Sequence, residues 1–285
     1  VLDTSTIAIR VRDTAATLNN GLWHITDDPP TFTGDTGEGV VIGIIDTGID
    51  WEHEFFRTTD GQDTRIMAIW DQALVPVAGE ASPDQALIAT AKTYGVEYEA
   101  DKIKAAILET PGFKAVRHRD TDGHGTHVAG IAAGNGRPSF LNIGVAPKAK
   151  IIAVNYLDAQ GKAEVDGSKV SSDDLFKDAL AYIRNKARKM NLPEKDATLP
   201  VVINCSLGSD FNSHDGRGVS GSSHSENDLR DFRFSGNTEI PGSAVVFASG
   251  NAAGKNAHFR ATKGSGTLII PFEIHDRRNT KDDST

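Results

Sequence analysis

The sequence predicts an α/β fold with three layers, in which a mostly parallel β-sheet has helices on both faces. The first reason is a set of four apolar, largely β-branched runs, which occupy 40–45, 150–154, 199–208 and 243–248. Unbroken runs of this kind are typical of strands that are covered on both sides, as in parallel sheets. The second reason is that helical patterns separate the runs, and strands that alternate with helices favour a parallel sheet.

The clearest helix is predicted over 172–189, with Ser172 as N-cap and with acidic residues before basic ones, as the helix dipole favours. A second helix of small residues begins near His124, and a shorter one is predicted over 101–109. Weak alternation predicts a further strand over 65–70. Outside these elements, we expect short helices within 13–22 and 226–232 and a strand over 267–274.

The chain divides into three parts by composition. Residues 1–37 are an approach segment, 38–258 form the core domain, and 259–285 resemble the start of a β-rich insertion. An irregular stretch around 72–118 has too few apolar residues for a centre of its own, so we expect it to be an insertion on the core.

Composition excludes several classes of function. The 285 residues carry a net charge of −9, and no run of Lys and Arg exceeds two, which argues against binding a nucleic-acid backbone. The longest apolar runs are far shorter than a bilayer span, so no membrane span is expected. Cys205 is the single cysteine, which excludes an internal disulfide framework but leaves the compartment open.

Chemically active side chains follow the predicted strands at their carboxyl ends, where open α/β sheets keep their sites. Asp46 ends the first apolar run and Asn251 follows the last. His124 is flanked by two glycines and begins a predicted helix. The alternatives are that Asp46 only caps a turn and that His124 is structural. A metal-dependent site of Asp46, Asp122, His124 and His127 is a further alternative, although the spacing lacks the Glu of a zinc motif.

Five motifs resemble those of subtilisin-like serine peptidases and occur in that family's order over roughly 38–254. They are the stretches 41–50 (VIGIIDTGID), 124–130 (HGTHVAG), 144–147 (GVAP), 202–208 (VINCSLG) and 248–251 (ASGN). The resemblance implies that Asp46 orients His124, that His124 is the general base, and that Asn251 donates to the oxyanion. It also implies that the substrate is bound by two further stretches, Ser206, Leu207, Gly208 and Ala248, Ser249, Gly250.

The family's catalytic serine has no counterpart after Asn251. Ser265 lies on a glycine-rich turn, but a predicted strand follows it where the family has a helix. A β-rich insertion between the oxyanion residue and the serine, as in some bacterial relatives, would account for the tail. The calcium loop of the family is also unmatched at 136–140, so we expect no metal there and no cofactor.

The leading hypothesis is therefore a serine endopeptidase whose serine lies on a missing C-terminal part of the same protein, so that the chain alone is inactive. The alternative is a pseudopeptidase that binds peptides or regulates. Both predict a polypeptide partner, and the family's habit implies a secreted or extracytoplasmic location.

Overall fold

A six-stranded sheet forms the centre of the described part of the chain. The computed structural model describes residues 23–24, 31–32, 36–90, 92–109, 115–137, 143–190, 199–207, 234–235, 238–239 and 242–248, all within one compact unit that spans 1–251. Across the sheet the strands follow the order 243–247, 201–205, 41–46, 150–155, 66–71 and 96–99. All neighbours are parallel except the last strand, 96–99, which pairs antiparallel with 66–71 at one edge.

The strands of this sheet are β3 (Val41–Asp46), β4 (Ile66–Asp71), β5 (Val96–Glu99), β6 (Lys150–Asn155), β9 (Val201–Cys205) and β12 (Ser243–Phe247). Three short antiparallel pairs are β1 (Trp23–His24) with β2 (Thr31–Phe32), β7 (Glu164–Val165) with β8 (Ser168–Lys169), and β10 (Phe234–Ser235) with β11 (Thr238–Glu239). The described α-helices are α1 (Ala100–Leu108), α2 (His124–Ala133) and α3 (Ser172–Lys189), and two 3₁₀ turns cover Glu54–Phe56 and Gln85–Leu87.

Helices cover both faces of the sheet, as the sequence predicted. Alternate residues of β3 enter two separate cores: Val41 and Ile45 pack in one core with α3, and Ile42 and Ile44 pack in the other with α1 and α2. Every residue of β3 is buried as a result. This parity also directs Asp46 to the face that carries α2.

The long helix α3 was predicted nearly to the residue, with one correction. Its N-cap is Ser171 rather than Ser172, and the Ser171 hydroxyl accepts a hydrogen bond from the Asp174 amide at 3.1 Å. The apolar face of α3 is buried and includes Leu175, Phe176, Ala179, Leu180, Ile183 and Ala187. The basic end is not simply solvated, because the Lys186 side chain is 12% exposed and pairs with two glutamates of β5.

The stretch 72–118 holds more structure than the sequence indicated. It contributes β5, which extends the sheet, and the predicted short helix is confirmed as α1. The predicted helices within 13–22 and 226–232 and the strand over 267–274 lie outside the described residues. The three-part division of the chain stays a prediction. Within the described part of the chain, no helix is long and apolar enough to cross a membrane.

Candidate active site

The carboxyl ends of three neighbouring strands carry the polar centre of the site. Asp46 of β3 is in register with Asn155 of β6, and Asn155 is in register with Asp71 of β4. All three residues are buried, with 0%, 2% and 3% of their surface exposed. Buried polar groups of this kind need hydrogen-bond partners, and histidines supply them to both aspartates.

The first histidine is His124, the first residue of α2. Its Nδ1 lies 2.6 Å from Asp46 Oδ1, and the same oxygen accepts a hydrogen bond from the Thr47 amide at 2.8 Å. The Asp46 side chain is fully buried, whereas 39% of the His124 side chain is exposed. Because an ionised carboxylate can only accept, the proton of the neutral ring lies on Nδ1 and Nε2 is the acceptor. The pair can therefore take up a proton at Nε2 of His124.

Asp120 fixes the position of the helix start that carries His124. Its carboxylate accepts hydrogen bonds from the amides of Gly123 and Thr126 and from the hydroxyls of Thr126 and Thr47. Burial alone would raise the pKa of Asp120, but these hydrogen bonds outweigh it and hold the pKa below its ordinary value. Sequence reasoning assigned Asp120 no role. Its place shortly before the first turn of a helix is the signal that could have found it.

The predicted substrate-binding residues follow two neighbouring strands. Ser206 and Leu207 come directly after β9, and Ala248 comes directly after β12, whose last residue is in register with the last residue of β9. The Ala248 amide donates to the Cys205 carbonyl at 3.2 Å, which holds the two strand ends together. The remaining predicted site residues, Gly208, Ser249, Gly250 and Asn251, lie outside the described residues, as does Ser265.

The metal-dependent alternative gains no support. Among the residues described, no group of three or more His, Cys, Asp or Glu side chains is arranged to hold a metal ion. Nδ1 of His124 is already occupied by Asp46. At the unmatched calcium loop only residues 136 and 137 are described, so the absence of calcium there stays a prediction.

A second aspartate–histidine pair was missed by sequence reasoning. Asp71 Oδ2 lies 2.5 Å from His118 Nδ1, and the two side chains are 4% and 0% exposed. Asp71 ends β4 just as Asp46 ends β3, so its position at a strand end was a signal. His118 had none, because it lies outside the five motifs.

Known proteins share sequence and fold with this chain. The model of the subtilase family matches residues 37–269. Subtilisin-like protease 3 of Pseudogymnoascus destructans is 46% identical over 183 residues, which are 64% of this chain and 29% of that protein. The PII-type proteinase of Lacticaseibacillus paracasei is 29% identical over 146 residues, which cover 46% of this chain and 6% of that protein.

Among solved structures, the CspB protease of Clostridium perfringens is similar with a TM-score of 0.54 and 30% identity, over 77% of this chain and 37% of that chain. The chain thus spans well under half the length of each of these relatives. Because the family model covers most of the chain, and because it includes both the strand end with Asp46 and the helix start with His124, the chain belongs to the subtilase family.

Proposed function

We propose that the protein is a serine endopeptidase in which Asp46 and His124 are two members of an Asp-His-Ser triad. The observation that carries this proposal is the 2.6 Å contact between a fully buried carboxylate and Nδ1 of a partly exposed imidazole. A structural histidine whose side chain is 39% exposed would not need a fully buried aspartate at one ring nitrogen. Such a pair is the arrangement that general-base catalysis requires.

In the proposed reaction His124 first accepts a proton from the nucleophile and then donates it to the leaving group. Nε2 of His124 takes the proton of the serine hydroxyl while the oxygen attacks the carbonyl carbon of the peptide, and Asp46 stabilises the imidazolium that forms. Asn251 donates to the oxygen on which negative charge develops. The imidazolium then gives its proton to the leaving amine, and water repeats the sequence to release the acyl group. The enzyme is restored with no net change in charge.

The proposal extends to the substrate and to the nucleophile. Ser206, Leu207 and Gly208 pair with the backbone of a polypeptide substrate as an added strand, and Ala248, Ser249 and Gly250 line the pocket for the residue before the cut. The serine is supplied by a part of the same protein beyond residue 285. The family resemblance supports a secreted or extracytoplasmic location.

A fluorophosphonate probe that labels activated serines tests the proposal. The isolated chain of 285 residues is expected to remain unlabelled, and stoichiometric labelling of it would show that the chain has its own nucleophile. The longer product of the same reading frame is expected to be labelled. His124→Ala and Asp46→Asn should then slow labelling by roughly 10²–10⁴, whereas His53→Gln, which changes an exposed histidine, should not.

The same experiment separates the enzyme from the alternative. If the complete product is not labelled and still binds extended peptides, the pseudopeptidase hypothesis replaces the proposal.

A further inference from the structure

The buried pair of Asp71 and His118 has no part in the proposed reaction, since neither side chain reaches solvent. We propose that it is a positioning pair, which holds the turn 47–51 in the shape on which α2 and His124 dock. Only the catalytic benefit of positioning His124 rests on the proposed function. The contacts themselves can be tested without any proteolysis.

The hydrogen bonds of His118 define one protonation state. Nε2 of His118 accepts a hydrogen bond from the Ile49 amide at 3.1 Å, so this nitrogen carries no proton. The proton of the neutral ring therefore lies on Nδ1, where it is donated to Asp71. A carboxylate on one side and an amide on the other thus fix the tautomer of a ring that no solvent reaches.

Asp71 is held in turn by groups on its other oxygen. Oδ1 of Asp71 accepts from the Ala73 amide at 3.0 Å and from Nδ2 of Asn155 at 3.3 Å. Asn155 is in register with Asp46 as well as with Asp71. The two aspartates therefore lie on either side of one strand end, and two hydrogen bonds that do not involve His118 orient the Asp71 carboxylate.

His118 contacts the turn 47–51 with both its side chain and its main chain. Besides the bond from Ile49, the His118 carbonyl accepts a hydrogen bond from Nε1 of Trp51 at 3.0 Å. The packing leaves no room between them: a Cβ on Gly48 would lie 2.4 Å from Cε1 of His118. Gly48 also has a φ of +117°, a backbone conformation that residues with a side chain rarely adopt. The turn can follow this path only while His118 stays in place.

The opposite side of the turn is the docking surface for α2. A Cβ on Gly125 would lie 2.2 Å from the carbonyl oxygen of Gly48, so helix and turn are in direct backbone contact. The Gly125 amide donates to the Thr47 hydroxyl at 2.9 Å, and the Asp50 amide donates to the Thr126 hydroxyl at 2.7 Å. A shift of the turn must therefore move the first turn of α2, and His124 with it.

The first test uses the unaltered chain and nuclear magnetic resonance. The structure requires a scalar coupling between the ¹⁵N nuclei of the Ile49 amide and Nε2 of His118, which is transmitted only through a hydrogen bond. It also requires a low-field proton signal from Nδ1 of His124, bonded to Asp46. Absence of the first coupling in a folded chain overturns the proposal, whether or not the protein is a peptidase.

The second test asks whether the buried pair positions His124. His118→Phe keeps a ring but neither nitrogen, and Asp71→Asn changes one atom without leaving a cavity. Both are expected to weaken or abolish the His124 Nδ1 proton signal, and to speed hydrogen exchange of the Ile49 amide roughly tenfold, as loss of about one hydrogen bond implies. His118→Gln should partly restore the proton signal and the slow exchange, since its amide nitrogen can donate to Asp71 and its amide oxygen can accept from the Ile49 amide.

His53→Gln is the control, because it alters an exposed histidine near the same turn. It should leave both signals unchanged. If His118→Phe and Asp71→Asn fold and the His124 signal is that of the unaltered protein, the pair is structural only and the positioning role is refuted. Failure of proteolysis in the complete protein, with these signals as expected, would instead refute the proposed function and leave the positioning role intact.

Discussion

Replacing Arg65 with Met should destabilise the fold by about 3 kcal/mol. The Arg65 side chain is buried, with 6% of the residue exposed, and it donates hydrogen bonds to four backbone carbonyls. These belong to Phe55, Arg57, Ala133 and Ala149, at 2.5, 3.2, 2.6 and 3.0 Å. Ala133 is the last residue of α2, so Arg65 satisfies one of the carbonyls that a helix end leaves open.

The expected loss of stability depends on which carbonyls lose their hydrogen-bond donor. Asn135 also donates to the carbonyls of Phe55 and Arg57, so the substitution chiefly affects those of Ala133 and Ala149, at about 1–3 kcal/mol each. Alternatively, four hydrogen bonds from a charged group contribute at least about 6 kcal/mol. Burial opposes this, because it lowers the pKa of Arg65 from 12.5 to about 10, a cost of about 3 kcal/mol.

Urea denaturation followed by circular dichroism measures the effect, with Arg188→Met as the control. Arg188 is an exposed arginine near the end of α3, and its replacement should change the free energy of unfolding by no more than about 0.5 kcal/mol. If Arg65→Met also stays within that range, the carbonyls of Ala133 and Ala149 must find other donors, and the idea that Arg65 anchors α2 is wrong.

Two further predictions concern α2 and the insertion. Gly125→Ala places a Cβ 2.2 Å from a backbone oxygen and should destabilise the fold by about 2–3 kcal/mol. A Cβ at Gly130 has its nearest neighbour at 3.9 Å, so Gly130→Ala should be neutral or should stabilise the helix by up to about 1 kcal/mol. Equal losses of stability for the two variants in thermal unfolding would contradict this. Hydrogen bonds, that from Arg117 foremost, lower the pKa of Glu80 from 4.5 to about 2, so the stabilisation is complete above pH 4.5 and is lost as the pH falls towards 2. Because 38% of the Arg117 side chain is exposed, we expect about 1–2 kcal/mol rather than the full shift. Glu80→Gln should flatten the change in urea midpoint between pH 5 and pH 3, and an unchanged slope would refute the assignment.

The parts of the fold that could be predicted are those buried on both sides. β3 is apolar without interruption because each face has its own core, and Asp46 is recognisable because it breaks that pattern at the strand end. β5 was missed because it is a four-residue edge strand after a stretch with glycine and proline. Its alternation of Val96, Glu97, Tyr98 and Glu99 is the signal of a half-covered strand, but it is too short to stand out.

The hairpin of β7 and β8 was predictable in principle. Its turn residues Asp166 and Gly167 have φ angles of 50° and 77°, and an Asp-Gly pair is the usual signal for such a turn.

In the candidate site, the motifs located His124 and Asp46 but not the contacts of Asp120, Asp71 and His118. Those contacts depend on which strand ends become neighbours, and single-sequence patterns do not contain that information.

The hydrogen bond between Asp71 and His118 also closes a loop. Asp71 directly precedes the stretch 72–118 and His118 is its last residue, so the two ends of that stretch are joined at a side-chain distance of 2.5 Å. The entropy of closing a loop rises only slowly with its length once the ends are fixed together. The exposed loop 75–79 within the stretch could therefore be lengthened at a small entropic cost. The stretch as a whole could not be exchanged, because its Val96 and Tyr98 are part of the core that packs with α1 and α2.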